Sequence, residues 1–567
     1  MRQTLKVVIS TLNSKYIHSS LAPWCLSAGV ATYCDIAISA EVVEGTINEK
    51  LKNVADRIIS QHPQVIGFSC YIWNIAKTKE LITLVNNQLP SAIIVLGGPE
   101  VSYNAATVLK ENPLVDFVLS GEGELPFAIL LNAILNNDFT QVIPGLCFRK
   151  NEQIVVAPEY ISTEEPPTPY TQMYFDSLNG RISYLETSRG CPYSCAFCLS
   201  GRCGNARFFD IERAKKELLL LANCGTRTVK LVDRTFNANR KRAIEIFDFI
   251  IKNYGAQIPE GVCFHFEIAG DILDEETINL LSTAPVGLIQ LEIGLQSFNP
   301  KTLKSVNRKT DMSRLEKNIK SVIESANMHI HIDLIAGLPF ENWDSFENSF
   351  NIAYALKPNM LQLGFLKLLY GAPMREQPID FPCEYLKEPP YEVTKTPWLS
   401  KEELAQLHYV EDALERIYNS GRFRRSLNIL IDKCDCTPFE LFLKFGLLAS
   451  EHGTQNISLN DYITLIFEYF SVQKSIDKIK LRDAMVCDYL ATNASGLLPP
   501  ILEIKDSEHK KAKMFLDNNC TTRQPKGVKR GLALLYSENC AVYVDYEEKN
   551  PVTLEYQLNK FNYDMKI

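Results

Sequence analysis

The sequence predicts an α/β protein: an N-terminal doubly wound parallel sheet, a second repeat of six βα units forming a partial (β/α)6 or a full parallel barrel, and a mostly helical C-terminal domain. Three observations predict it. Short β-branched runs alternate with amphipathic stretches over residues 1–150. The alternation starts afresh over 181–370, and a polar, Pro-rich stretch, STEEPPTPYTQ (162–172), lies between the two. Alternation of this kind belongs to parallel sheets covered by crossover helices.

In chain order, the first region offers strands at 5–12, 37–43, 64–69, 92–96 and 115–119, with helices at 48–61, 75–89 and 125–135. Such sheets bind ligands at the carboxyl ends of their strands. The segments there are TLNSKYIHSS (11–20), CYIWN (70–74), GGPEV (97–101) and GEGE (121–124). The second region offers strands at 182–187, 228–232, 262–268, 288–293, 329–335 and 360–366, with helices at 211–221, 242–253 and 313–325. Beyond 390 come helices at roughly 400–418, 437–450 and 459–474 and strands near 531–546. Domains are drawn at 1–150, 179–375 and 376–567, with a linker at 151–178.

The 567 residues are 46% hydrophobic and 22% charged, ordinary for a soluble globular chain of three or four domains. A formal net charge of −8 excludes a global nucleic-acid footprint, and nucleic acid is not an expected partner. The basic segments HKKAK (509–513) and RQPKGVKR (523–530) read as solvated surface. No apolar run is long enough to span a bilayer, and the opening MRQTLKVVISTLNSKY is a poor signal peptide, so a cytoplasmic protein without a membrane partner is expected. Sixteen cysteines in a chain this long point to reduced thiols and a metal site rather than a disulfide scaffold.

The strongest chemical signal is ETSRGCPYSCAFC (186–198), where Cys191, Cys195 and Cys198 form CxxxCxxC directly after the first strand of the second repeat. Three thiolates in one loop can bind three irons of a [4Fe–4S] cluster and leave the fourth open. The alternative is a structural zinc with Cys203 as fourth ligand, although zinc sites usually draw on two separated ligand pairs.

This segment resembles the hallmark of the radical SAM superfamily, CxxxCxΦC after the first barrel strand, with Phe197 at the aromatic position. The resemblance implies that the open iron chelates S-adenosylmethionine (SAM), whose reductive cleavage gives methionine and a 5′-deoxyadenosyl radical. It puts Asp233 and Arg234 of VDRTFN (232–237) near the methionine amino group, although this segment lacks the glycines usual there. His265 and Glu267 share a strand face. Glu267 resembles a SAM-contacting carboxylate, Gln296 of EIGLQS and Arg308 resemble polar and basic SAM contacts, and Asp333 of DLIAGLP lies close by.

The N-terminal region has neither GxGxxG after its first strand nor a Walker loop. Its GGP and GEGE segments resemble the cobalamin-binding domain that precedes one large class of radical SAM cores. LNSKYIHSS, CYIWN, DRTFN and the C-terminal extension resemble the branch whose tail is DUF4080. The implied cobalamin contacts are Asn13 and Tyr16 after the first strand and Ser69, Cys70, Tyr71, Trp73 and Asn74 after the third. Gly97, Gly98, Pro99 and Glu100 follow the fourth, and Gly121, Glu122, Gly123 and Glu124 the fifth. The DxHxxG motif of cobalt-ligating histidines is absent, so no histidine on cobalt is expected, His18 included, and the CYIWN loop is expected to face the lower side of the corrin.

The resemblance implies a cobalamin-dependent radical SAM methyltransferase acting on an unactivated carbon through the 5′-deoxyadenosyl radical and methylcobalamin. Its partners are an unknown substrate and a reductant such as flavodoxin or ferredoxin. One alternative keeps both cofactors for non-methylating chemistry, a cyclisation or rearrangement. A second is a methylthiotransferase with another cluster on Cys25, Cys34 and Cys70. A third is a non-enzymatic cobalamin or redox sensor.

Overall fold

A computed structural model describes residues 4–34, 37–151, 153–453, 457–504, 507–519 and 530–562. The chain divides into two units, one of residues 1–268, 306–309 and 366–394, the other of 269–305, 310–365 and 395–567.

The first unit begins with β1 (Leu5–Asn13), α1 (Ala22–Tyr33), β2 (Ile38–Thr46), α2 (Leu51–Ile59), β3 (Val65–Ser69), α3 (Ile75–Asn86) and β4 (Ile93–Gly97). The short α4 (Pro99–Ser102), α5 (Ala105–Glu111), β5 (Phe117–Leu119) and α6 (Glu124–Asn136) follow. The strand order is β2-β1-β3-β4-β5, all parallel, which is the expected doubly wound sheet. Successive residues of each strand feed opposite faces. Val8, Ile66 and Leu96 pack with α2 and α3, while Val7, Val65 and Val95 pack with α1 and α6. Burial on both faces explains the near-continuous apolar runs. The chain order reverses between β1 and β3, so the crevice beyond their carboxyl ends is the ligand position of such folds. Two further strands, β6 (Leu146–Lys150) and β7 (Gln153–Val155), extend this sheet antiparallel.

The same unit continues with α7 (Gln172–Leu178), β8 (Ser183–Leu185), β9 (Ser188–Arg189), β10 (Arg207–Phe208), α8 (Ile211–Ala222), β11 (Thr228–Leu231), α9 (Arg240–Asn253) and β12 (Cys263–Ile268). β8, β11 and β12 are parallel neighbours. Asp210 and Asn239 cap α8 and α9 with their side chains, accepting the N–H of Arg213 and Arg242.

The second unit carries α10 (Glu275–Ser282), β13 (Ile289–Gln296), α11 (Pro300–Ser305), α12 (Met312–Glu324), β14 (His329–Ala336), α13 (Trp343–Ala355) and β15 (Met360–Phe365), with β13, β14 and β15 parallel neighbours. Its remainder is mostly helical, as expected. Helices Lys401–Ala413, Arg424–Lys433, Pro438–Glu451, Leu459–Ser471 and Lys478–Thr492 precede three antiparallel strands, Gly531–Leu535, Cys540–Val544 and Asn559–Asn562. The helix Lys401–Ala413 runs on into a π-helical turn, Leu414–Asn419. Buried Asp488 accepts the backbone N–H groups of Arg425 and Ser426 and pairs with the Arg425 guanidinium at 3.1 Å. No described helix is long and apolar enough to cross a membrane. Most of the basic segment 523–530 lies outside the described residues.

Glu341, after β14, is wholly buried and accepts hydrogen bonds from Ser297 Oγ (2.5 Å) and Ser349 Oγ (3.0 Å). Burial pushes its carboxyl up to about 7 against these bonds. A raised folded-state value favours the protonated form. Stability from this group is therefore complete below the ordinary carboxyl value and is lost as pH rises towards about 7. The difference corresponds to about 3 kcal/mol. Glu341→Gln should flatten the thermal midpoint between about pH 5 and pH 8, where the parent's falls.

Candidate functional site

β8 stops at Leu185, and β9 pairs antiparallel with β10, Ser188 opposite Phe208 and Arg189 opposite Arg207. This two-residue neck closes a loop, 190–206, that holds the three motif cysteines. Asp233, beyond β11, braces the neck: its carboxylate accepts Thr187 N–H (3.0 Å), Thr187 Oγ1 (2.8 Å) and Ser188 Oγ. Gly190 has φ +89° just before Cys191, and a Cβ on Gly201 would meet Tyr193 O at 2.5 Å. Both turns therefore favour glycine. The Ala196 N–H donates to Val306 O (2.9 Å), and Ala196 O accepts from Met374 N–H (3.0 Å), so two distant segments hold the loop.

Donors surround the sulfurs. Thr235 Oγ1 lies 3.4 Å from Cys191 Sγ, the Ser200 N–H donates to Cys198 Sγ at 3.4 Å, and Arg308 Nη1 donates to Cys195 Sγ at 3.8 Å. Burial pushes the Cys195 thiol up, and the Arg308 guanidinium opposes this. Donors to sulfur and a nearby cation suit the electron-rich sulfurs of an iron–sulfur cluster. Three sulfurs on one tetrahedral zinc would lie about 3.8 Å apart. Among the described residues, only Glu292, His331 and Asp333 bring three ligand atoms within 4.8 Å of one another, so the three thiols are spaced more widely than zinc needs. The side chain of Cys203 lies outside the described residues.

A cavity of about 630 Å³ lies at the carboxyl edge of the first sheet, lined by Asn13, Ser69, Gly97, Gly98 and Gly121–Glu124. The glycines are steric necessities. Gly98 (φ +104°) and Gly121 (φ +92°) would put a Cβ 2.6 Å from Cys70 O and 2.2 Å from Tyr160 O. A Cβ on Gly97 meets nothing closer than Leu119 O at 3.7 Å, so Gly97 leaves open room. Tyr71 and Trp73 stack with ring centroids 4.4 Å apart and planes 6° apart, and both line the cavity. Burial pushes the Tyr71 hydroxyl up to about 12, which keeps it protonated.

Several residues expected at this cofactor face turn elsewhere. Cys70 is fully buried in the core beneath the sheet edge, its thiol directed at Phe68 O. Asn74, also fully buried, shapes its own loop by accepting Tyr71 N–H (2.8 Å) and donating to Ser69 O (3.0 Å) and Leu12 O (3.2 Å). Glu100 is buried against the Tyr391 hydroxyl, and Pro99 begins α4 outside the lining. Tyr16 is exposed and its hydroxyl accepts from Asn179 Nδ2 (3.1 Å). Asp233, which the resemblance puts near SAM, is engaged at the neck by Thr187 and Ser188. The polar and steric demands of packing decide these orientations, and loop position alone does not reveal them.

The cavity's other wall comes from the cluster loop: Glu186, Ser188, Arg189, Gly190 and Ser200 line it. Sequence reasoning missed Arg189. Its guanidinium reaches Glu124 (2.6 Å), Glu186 (2.9 Å) and Glu122 (3.0 Å). Burial works against ionisation of Glu124, yet Arg189 overcomes it and holds that carboxyl below its ordinary value. Burial dominates at Glu186, whose carboxyl stays raised. The signal was present: two buried-loop glutamates in GEGE need cations, and the arginine beside the first cysteine supplies one. His18 lines the same cavity, its Nδ1 2.7 Å from the Tyr184 hydroxyl, and burial with Lys15 and Lys230 lowers its pKa.

The residues assigned to SAM divide between the units. In the first, Glu267 faces Lys230 (3.8 Å) and Arg234 (3.9 Å), and Arg308 stands at Cys195. Phe197 is half-buried in the loop itself. In the second, Gln296 ends β13 at φ +74° after a register shift, with its Oε1 buried and without a hydrogen-bond partner among the described residues. Asp333 lies 2.9 Å from His331 Nε2, and Glu292 lies 3.9 Å from the other ring nitrogen.

Comparison with known proteins accounts for all three regions. Residues 14–131 match the B12 binding domain, 185–353 the radical SAM superfamily and 380–533 the protein of unknown function DUF4080. The chain carries a segment that matches each of these three domain models. The cobalamin-dependent radical SAM methyltransferase TokK of Streptomyces tokunonensis is 28% identical over 53% of this chain and 45% of its own length. The anaerobic magnesium-protoporphyrin IX monomethyl ester cyclase of Cereibacter sphaeroides is 23% identical over 59% of this chain and 56% of its own. The chain thus spans about half the length of these curated relatives. Among solved structures, the cobalamin-dependent SAM radical enzyme OxsB with aqua-cobalamin and SAM bound matches at a TM-score of 0.58 and 14% identity, covering 85% of this chain and 78% of OxsB. At that identity the likeness speaks for the fold alone.

Proposed function

We propose that this chain is a cobalamin-dependent radical SAM methyltransferase acting on an unactivated carbon. The observation that carries the reading is the single cavity bounded on one side by the carboxyl edge of the B12-type sheet and on the other by the cluster loop. The kinship with TokK supports methyl transfer. When bound, a [4Fe–4S] cluster with SAM supplies the one-electron chemistry that opens a C–H bond, and cobalamin supplies the methyl group.

The chain's own residues bind and orient. Cys191, Cys195 and Cys198 would hold the cluster, with Ser200 N–H and Arg308 donating towards the sulfurs and the Thr235 hydroxyl beside Cys191. Glu267 and Arg308 would contact SAM. The same role for Gln296 and Asp333 rests on the resemblance. Gly97, Gly98 and Gly121 would let the corrin approach the backbone, with the stacked Tyr71 and Trp73 against its lower side and no histidine on cobalt. The electron source would be a carrier such as flavodoxin or ferredoxin, and the compartment the cytoplasm.

A second reading, non-methylating radical chemistry, is favoured by the similarity to the Cereibacter cyclase. Anaerobic incubation of cell extract with the chain, reductant, cobalamin and SAM carrying an isotopic label on its methyl group separates the two. Methyl transfer predicts a new species carrying the label. A new product without label supports the second reading.

A further inference from the structure

The neck of the cluster loop places two like charges directly opposite each other. Arg189 and Arg207 are cross-strand partners in the two-residue ladder of β9 and β10. Like charges in that position repel and destabilise the pairing. The compensating carboxylates come mainly from the cobalamin-type domain. Glu122 contacts both arginines, reaching Arg189 at 3.0 Å and Arg207 closely, and Glu124 takes Arg189 at 2.6 Å. Arg207 also donates to Ser162 O. Glu186 is the local carboxylate, 2.9 Å from Arg189. Glu122 and Glu124 belong to the loop that lines the cavity, and Arg189 stands two residues before Cys191.

We propose that Arg189, through Glu122 and Glu124, is a positioning residue that couples the two cofactor sites, so that cluster loading strengthens cobalamin binding. The inference rests on the functional reading above. A loaded cluster would tether the three cysteines and so hold the neck, already paired and braced by Asp233, closed for more of the time. The closed neck presents both guanidiniums to Glu122 and Glu124 and orders the Gly121–Glu124 loop before cobalamin arrives. Ordering that loop in advance removes a cost that binding otherwise carries. Linkage then requires the reverse: bound cobalamin must tighten cluster binding by the same free energy.

The test titrates hydroxocobalamin into the full chain by equilibrium dialysis, once after anaerobic cluster reconstitution and once after the iron has been stripped by a chelator. The parent chain should bind about tenfold more tightly with the cluster present, within the usual range of coupling between sites. In Arg189→Met the ratio should fall to within about twofold of unity, and Arg189→Lys should restore part of it. A merely structural role would weaken both titrations equally and leave the ratio unchanged. If Arg189→Met does not fold, Glu122→Gln keeps the side-chain size and should lower the ratio in the same direction. Cobalamin binding with a ratio of one in the parent, or an undiminished ratio in the variants, overturns the inference and leaves the functional reading standing. No cobalamin binding in either state overturns both.

Discussion

Replacing Cys191, Cys195 and Cys198 together by alanine should leave the anaerobically reconstituted chain essentially free of iron and sulfide. The parent should hold about four iron atoms per chain. The expected loss is complete because all direct ligands go at once, while the donors around them (Thr235, Arg308 and the Ser200 N–H) cannot bind iron as thiolates do. The fold should survive. The loop is held by the Ala196 backbone bonds to Val306 and Met374 and by the Asp233 brace, none of which involves a cysteine side chain. Iron and sulfide analysis with circular dichroism on the same sample checks both halves. An iron content near eight in the parent would favour a second cluster. The structure gives that little support: Cys70 is sealed in the core, while Cys25 lies on α1 and Cys34 just beyond it.

Gly97→Trp should abolish cobalamin uptake while leaving the iron content at the parent's level. Gly98 looks like the obvious position from the sequence, but its positive φ and the 2.6 Å approach to Cys70 O mean that any side chain there also strains the backbone. Gly97 carries neither penalty. It lines the cavity, its nearest neighbour is Leu119 O at 3.7 Å, and an indole there occupies the space a corrin needs. Binding of hydroxocobalamin to the variant should fall by at least about a hundredfold, measured by dialysis, because displacing a packed indole costs a few kcal/mol. Binding at parental affinity would remove this cavity as the cobalamin site.

The regular elements were legible because burial on both faces leaves a strong apolar signal. The runs of β1, β3 and β4 read directly as parallel strands. Strands β6 and β7 escaped because they are short, and β7, exposed at the sheet edge, lies in a stretch that reads as linker. Side-chain direction in the loops was not legible. Glu100 finds its partner in Tyr391, 291 residues on, and Asn74 closes its own turn instead of facing a ligand. Glu122 and Glu124 follow β5 as the sequence indicates, but their charges are tied to Arg189 and Arg207, whose closeness depends on the strand pairing at the neck. A rule that asks which cation answers each buried carboxylate would have pointed to Arg189.

On the proposed reading, one cavity serves two cofactors in a methyl transfer. The most direct test of that reading follows SAM itself during turnover with the substrate that the labelling search identifies. Quantification of the nucleoside products under anaerobic conditions should give 5′-deoxyadenosine and S-adenosylhomocysteine in about equal amounts, because one SAM opens the C–H bond and another replaces the methyl group on cobalamin. Deoxyadenosine forming with substrate in the absence of S-adenosylhomocysteine would contradict the claim and assign the protein to non-methylating radical chemistry.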